Sequence, residues 1–138
     1  MLNPWYVTGF ADGEAVFTYS KTATSFCLYF SIKQRESSRQ IVEEIQKFFN
    51  VGRIYKEKDP GSSSKNSTTQ PYAYYRVTKI SELEVIVGHF DKFPLRSQKK
   101  LEVYGVWRDM VMHKKNNYRR ASYDYLSALA QRLSSLNL

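Results

Sequence analysis

The spacing of apolar residues changes period at Glu14, and that change confines the chain to a mixed helix-and-sheet fold. Ahead of it, Asn3 is a capping residue followed by Pro4 at the first helical position, and the residues from Trp5 onward set aromatic and small side chains at helical steps. This predicts a short helix over about 4–12. Behind it, Val16-Phe17-Thr18-Tyr19-Ser20 and Phe26-Cys27-Leu28-Tyr29-Phe30-Ser31-Ile32-Lys33-Gln34 alternate with a period of two, as strands with one covered face do. A polar turn joins the two.

A second helix follows, capped by Ser37 or Ser38, with Ile41, Val42, Ile45, Phe48 and Phe49 at three- and four-residue steps and Asn50 as its stop. Such an apolar stripe needs a sheet to cover. Val51 to Lys56 and Tyr72 to Thr78 predict two more strands. Between them, Pro60-Gly61-Ser62-Ser63-Ser64-Lys65-Asn66-Ser67-Thr68-Thr69 has no core-forming residue and is expected to be mobile without a partner. Helices are predicted again over about 81–90, 97–113 and 120–135, with Pro94 separating the first two. The order is αββαββα plus a C-terminal helix, an α+β arrangement. With 138 residues, 42% of them hydrophobic, the chain can bury one core. A single domain over 1–138 is expected, with its core at about 4–113 and a helical extension at about 117–138.

Lysines and arginines number 21 against 13 acidic residues, and the net charge of +8 favours a polyanionic partner. Charge alone does not separate nucleic acid from a membrane surface. The single Cys27 rules out an internal disulfide, and no Cys/His cluster has zinc-ligand spacing, which suits a reducing compartment. No apolar run approaches the roughly 18 residues of a membrane span, and the N-terminus lacks a signal peptide's charged start and apolar centre. An intracellular protein is expected, in a bacterial cytoplasm or an organelle, neither secreted nor bound to a membrane.

Alternation places Phe26, Leu28, Phe30 and Ile32 on the core face of the sheet and Cys27, Tyr29, Ser31 and Lys33 on the other. By the same count Thr18, Ser20, Arg53, Tyr55, Tyr72, Tyr74, Arg76 and Thr78 share that second face. For one strand an ordinary solvated face explains such a pattern as well. Four strands agreeing on tyrosine and arginine favour a surface for bases and phosphates, since a β-ribbon can enter the major groove. A strand of about eight residues spans about 26 Å, which covers about eight base pairs of double-stranded DNA. Between Asp91 and Arg120 the chain carries nine basic residues against three acids, and of these Arg96, Lys99 and Lys100, beside the Pro94 break, are the ones expected to touch DNA.

Gly9 and Gly13 lie four apart, on one face of the first helix, where a second helix can approach almost backbone to backbone. Internal packing or an interface between chains would both use such a pair. The surrounding segment Gly9-Phe10-Ala11-Asp12-Gly13-Glu14, followed by a strand containing Phe17, closely resembles the LAGLIDADG motif of homing endonucleases. The resemblance continues through Ser31-Ile32-Lys33-Gln34, Phe48-Phe49-Asn50-Val51-Gly52 and His89-Phe90-Asp91-Lys92-Phe93-Pro94-Leu95, covering roughly residues 5–110.

The resemblance implies an αββαββα fold with an antiparallel four-stranded DNA-binding saddle. It implies a site-specific DNA endonuclease making metal-dependent staggered breaks at a long, near-palindromic target. A chain with one motif would act as a homodimer packed through Gly9 and Gly13. An RNA-splicing maturase, with intron RNA as partner, or a non-cleaving DNA-binding protein on the same fold is the alternative, and half of a two-motif enzyme is a third. By resemblance Glu14 binds the divalent cation, Mg²⁺ or another, and Ala15 contributes a carbonyl where glycine is usual. Hard cations prefer such oxygen ligands, and a cation of this kind activates water and offsets charge on the reacting phosphate. Asp12 resembles the motif's non-catalytic acid. Gln34 matches the polar residue at the end of the second strand and would position solvent. The usual basic residues fall at Ser38, with Arg39 adjacent, and at Gln98, with Lys99 adjacent. Lys99 is the expected catalytic lysine, and Arg39 and Lys100 are the other candidates.

Overall fold

A computed structural model describes residues 2–57 and 71–137. The segment 60–69 of the sequence reading lies outside the described residues. The elements are α1 (Pro4–Glu14), β1 (Ala15–Lys21), β2 (Phe26–Arg35), α2 (Arg39–Phe49), β3 (Arg53–Glu57), β4 (Tyr72–Val77), α3 (Ile80–Lys92), α4 (Gln98–Asn116) and α5 (Tyr123–Leu136), with a 3₁₀ turn over Glu36–Ser38 ahead of α2. The expected order holds, and every helix after the second is a little displaced or longer than its apolar pattern indicated.

Local chemistry sets the boundaries. The Asn3 side chain accepts the Trp5 N–H at 2.8 Å, and Pro4 opens α1. Gly13 does not stop the helix. It continues to Glu14, and the Ala15 N–H still bonds to Ala11 O while Ala15 has turned extended. Asn50 ends α2 in the left-handed conformation at φ 57°. Ser38 sits at the α2 N-cap but its side chain makes no capping bond. Gly52 follows at φ 81°, where an added Cβ would lie 2.6 Å from Val77 Cγ2 and 2.8 Å from Arg76 O, so only glycine fits.

All strand pairs are antiparallel, in the order β1-β2-β4-β3. The inward residues Phe17, Phe26, Leu28, Phe30, Ile32, Tyr75 and Val77 are buried beneath Val42, Ile45 and Phe49 of α2 and the apolar sides of α3 and α4. At the centre Phe17 packs its ring against Phe30, Phe90, Tyr104 and Trp107, with centroids 5.1–5.4 Å apart. Trp107 is fully buried and its Nε1–H is satisfied by Thr18 O at 3.1 Å. The last helix, α5, joins the same core through Leu126, Ala130 and Leu133, and the Tyr19 hydroxyl lies 2.8 Å from Ser134 Oγ. Among the described residues no helix is long and apolar enough to cross a membrane.

Candidate active site and nucleic-acid interface

Glu14 is the last residue of α1 and Ala15 the first of β1, so a carboxylate and a backbone carbonyl emerge together where the helix becomes a strand. A carboxylate at the negative end of a helix is disfavoured by the helix dipole and by the terminal carbonyls, and a cation relieves both. The antiparallel register pairs Ala15 with Ile32, and Gln34 follows two residues on along the same side of β2, just past the start of β1. There Gln34 Nε2 donates to Glu14 Oε2 at 3.2 Å and to Lys33 O at 2.9 Å.

The third contribution comes from the start of α4. Both Asp12 carboxylate oxygens accept the Ser97 N–H, at 3.0 and 3.1 Å, which fastens the end of α1 to the α4 N-cap. One turn on, Lys100 donates its Nζ to Ala15 O at 2.5 Å. Burial holds the Lys100 amine below the usual lysine range, and Lys99 beside it pushes the same way. Asp12 and Glu14 oppose this. Lys99 is exposed on the same turn. Arg39 is held by Glu36 at 3.2 Å and Glu43 at 2.9 Å. The lysine brought to the Glu14–Ala15 junction is therefore Lys100, the neighbour of Lys99, the expected catalytic lysine beside the aligned Gln98. Helical spacing carried that signal, because Val103, Tyr104, Trp107 and Val111 follow Lys100 at three, four, seven and eleven residues, on the inward stripe.

Glu14, Gln34 and Ala15 present only oxygen donors to a metal, the set that a hard divalent cation takes. Among the described residues no group of three or more His, Cys, Asp or Glu side chains is placed to hold a metal.

The outward sheet face is the one the alternation indicated. Thr18 stands opposite Tyr29, Ser20 opposite Cys27, Ser31 opposite Arg76, Arg76 opposite Arg53, and Lys33 and Tyr55 on either side of Tyr74. Aromatic and cationic groups interleave: Lys33 Nζ is 4.5 Å from the Tyr72 ring centre, Arg76 Cζ 4.3 Å from that of Tyr29, and Tyr55 stacks on Tyr74 at 5.1 Å. Ser31 is nearly enclosed at 8% exposure, shut in by its neighbours. Val16, opposite it, is 46% exposed and adds an apolar side chain that the polar pattern did not indicate. Thr78 lies just past β4, exposed.

On the other side of Glu14, α1 has an uncovered stripe. Gly9 and Gly13 are exposed, a Cβ at either would meet nothing within 4 Å, and Trp5 and Tyr6 are 52% and 49% exposed alongside. Neither glycine serves packing within the described chain.

A model of the LAGLIDADG endonuclease family matches residues 7–111. The probable intron-encoded endonuclease 2 of Neurospora crassa is 33% identical over 122 residues, covering 82% of this chain and 23% of that protein. An uncharacterized 50.9 kDa protein in ND4 intron 1 of Podospora anserina is 28% identical over 124 residues, covering 83% and 25%. The chain thus spans about a quarter of the length of these relatives. The LAGLIDADG meganuclease I-AabMI bound to uncleaved DNA superposes with a TM-score of 0.79 and 31% identity, over 99% of this chain and 46% of that one. The homing endonuclease I-TnaI shares the fold at a TM-score of 0.78 and 23% identity, over 99% and 94%. The family match takes in most of α1, all four described strands and Lys99 and Lys100 of α4, and the same matched span carries the Glu14 junction and the tyrosine-rich sheet face. The chain belongs to the LAGLIDADG endonuclease family.

Proposed function

We propose that the chain is a site-specific DNA endonuclease subunit that makes staggered double-strand breaks in a long, near-palindromic target, in a divalent-metal-dependent reaction. The observation that carries this reading is the junction at Glu14. A carboxylate, the Ala15 carbonyl, the Gln34 amide and a partly buried lysine amine converge there, beside a sheet face lined with arginine and tyrosine.

Glu14 and the Ala15 carbonyl would hold Mg²⁺ or a related cation, which supplies an activated water and offsets charge on the reacting phosphate. Gln34 fixes the orientation of the Glu14 carboxylate and presents an amide to solvent. Lys100, with Lys99 beside it, supplies positive charge to the phosphate. Burial lowers its pKa, which eases loss of its proton. Thr18, Ser20, Tyr29, Ser31, Lys33, Arg53, Tyr55, Tyr72, Tyr74, Arg76 and Thr78 form the DNA-contacting face.

Cutting both strands across a minor groove about 6 Å wide requires two carboxylates close together. The uncovered Gly9–Gly13 stripe adjoins Glu14, so packing two such stripes brings two junctions side by side in a homodimer. The length of the relatives favours a second arrangement, in which the partner motif lies on the same longer polypeptide. Sedimentation separates the two, since only the first forms a dimer from this chain. The enzymatic reading is tested by incubating the chain and Glu14→Gln with a randomised duplex library and Mg²⁺. The unsubstituted chain is expected to cut and Glu14→Gln to bind without cutting. Binding with no cleavage by the unsubstituted chain would overturn the assignment.

A further inference from the structure

Arg76 lies in the middle of the outward face, with Ser31 of β2 and Arg53 of β3 directly opposite it on either side. Its guanidinium carbon is 4.3 Å from the Tyr29 ring centre and 5.1 Å from that of Tyr74. Nε is buried and has no hydrogen-bond partner. None of the ion pairs among the described residues involves Arg76. Glu82 lines the same hollow of about 310 Å³, with Arg53, Tyr55, Thr78 and Lys79, but its Oε1 accepts the Gly52 N–H at 3.1 Å.

Arg76 as a whole is half-buried, but a nitrogen enclosed for packing alone is ordinarily satisfied by a carboxylate or carbonyl, and an orphan buried donor is rare. Here two aromatic rings take the place of acceptors. They confine the plane of the guanidinium and remove rotamer freedom that a free arginine would lose on binding, while leaving the fork unneutralised. Lys33, over Tyr72, is held in a comparable way but carries a point charge with no fork.

Resting on the proposal that this face contacts DNA, we propose that the sheet enters the major groove with Arg76 as its specificity anchor, reading a guanine. Guanine presents two acceptors, O6 and N7, side by side on its major-groove edge, and the two terminal nitrogens of Arg76 match that pair. Tyr29 and Tyr74 are positioning residues that aim the fork. Arg53, exposed and on the neighbouring strand, is left for phosphate or an adjacent base.

The test is a binding selection in Ca²⁺ from a randomised duplex library, using the full chain and Arg76→Lys, Arg76→Ala, Tyr29→Leu and Tyr29→Phe, with thermal melts to verify folding. The unsubstituted chain is expected to prefer guanine about 5- to 150-fold at one position of each half-site. Arg76→Lys keeps the charge and loses the fork, so that preference disappears while the other positions stay selective. Arg76→Ala behaves likewise, and Arg76→Lys decides the matter should the alanine variant fail to fold. Tyr29→Leu weakens the guanine preference and Tyr29→Phe restores it. An unsubstituted chain that enriches no sequence overturns sequence reading by the sheet as a whole. A guanine preference intact in the Arg76 variants, or loss of a preference for another base, overturns this assignment alone.

Discussion

Lys100 and Lys99 are adjacent in the chain, yet only Lys100 has its amine at the Ala15 carbonyl, because helical geometry turns successive side chains through about 100°. Lys100→Met is expected to lower the cleavage rate about 10²-fold or more, and Lys99→Met to cost less. Single-turnover cleavage at matched DNA occupancy checks this, and the reverse order reassigns the catalytic role to Lys99. Gly52 makes a different point at the same scale. It needs a positive φ, and a Cβ there would meet Val77, Tyr75 and Arg76 at 2.6–2.8 Å, two of them core residues. Gly52→Ala is expected to destabilise the fold by about 1–3 kcal/mol, measured by urea unfolding, with no direct effect on the Glu14 junction.

At the scale of elements, α3 is tied to α1 by a polar contact inside an aromatic nest. The Thr8 hydroxyl donates to Phe93 O at 2.8 Å and lies 3.0 Å from His89 Nε2, which assigns the ring proton to Nε2. Phe48, Phe49, Phe90 and Phe93 surround the imidazole. Burial pushes the His89 pKa from 6.5 down to about 4. Between those values the unfolded chain takes up a proton that the folded chain refuses. This contribution to stability is therefore complete above the unfolded value and is lost as pH falls through the folded one. The melting temperature is expected to drop as pH falls through that window, and His89→Gln to flatten the drop. The C-terminal helix α5 is likewise part of the core. Leu133 is fully buried, and Leu133→Ala is expected to cost about 2–5 kcal/mol in denaturant unfolding.

For the whole molecule, the proposed packing through the exposed α1 stripe links association to chemistry. A Cβ at Gly9 has nothing from the rest of the fold within 4 Å, and Gly9→Leu replaces a poor helix former, so the monomer is expected to melt no lower. In the proposed homodimer this substitution is expected to break association, seen by sedimentation, and cleavage to fall with it. The helix-to-strand switch at Glu14, the alternation that separates Phe26, Leu28, Phe30 and Ile32 from Tyr29, Ser31 and Lys33, and the αββαββα order were all legible in the sequence. They depend on period and local sterics, which neighbouring residues carry in full. The Glu14–Gln34 contact, the fastening of Asp12 to Ser97, the selection of Lys100 and the orphaned Arg76 Nε were decided by tertiary structure. Each joins residues far apart in the chain or depends on which atoms a packed neighbour encloses. Strand register and helix docking, which bring Asp12 and Ser97 together across 85 residues, are set by the core as a whole.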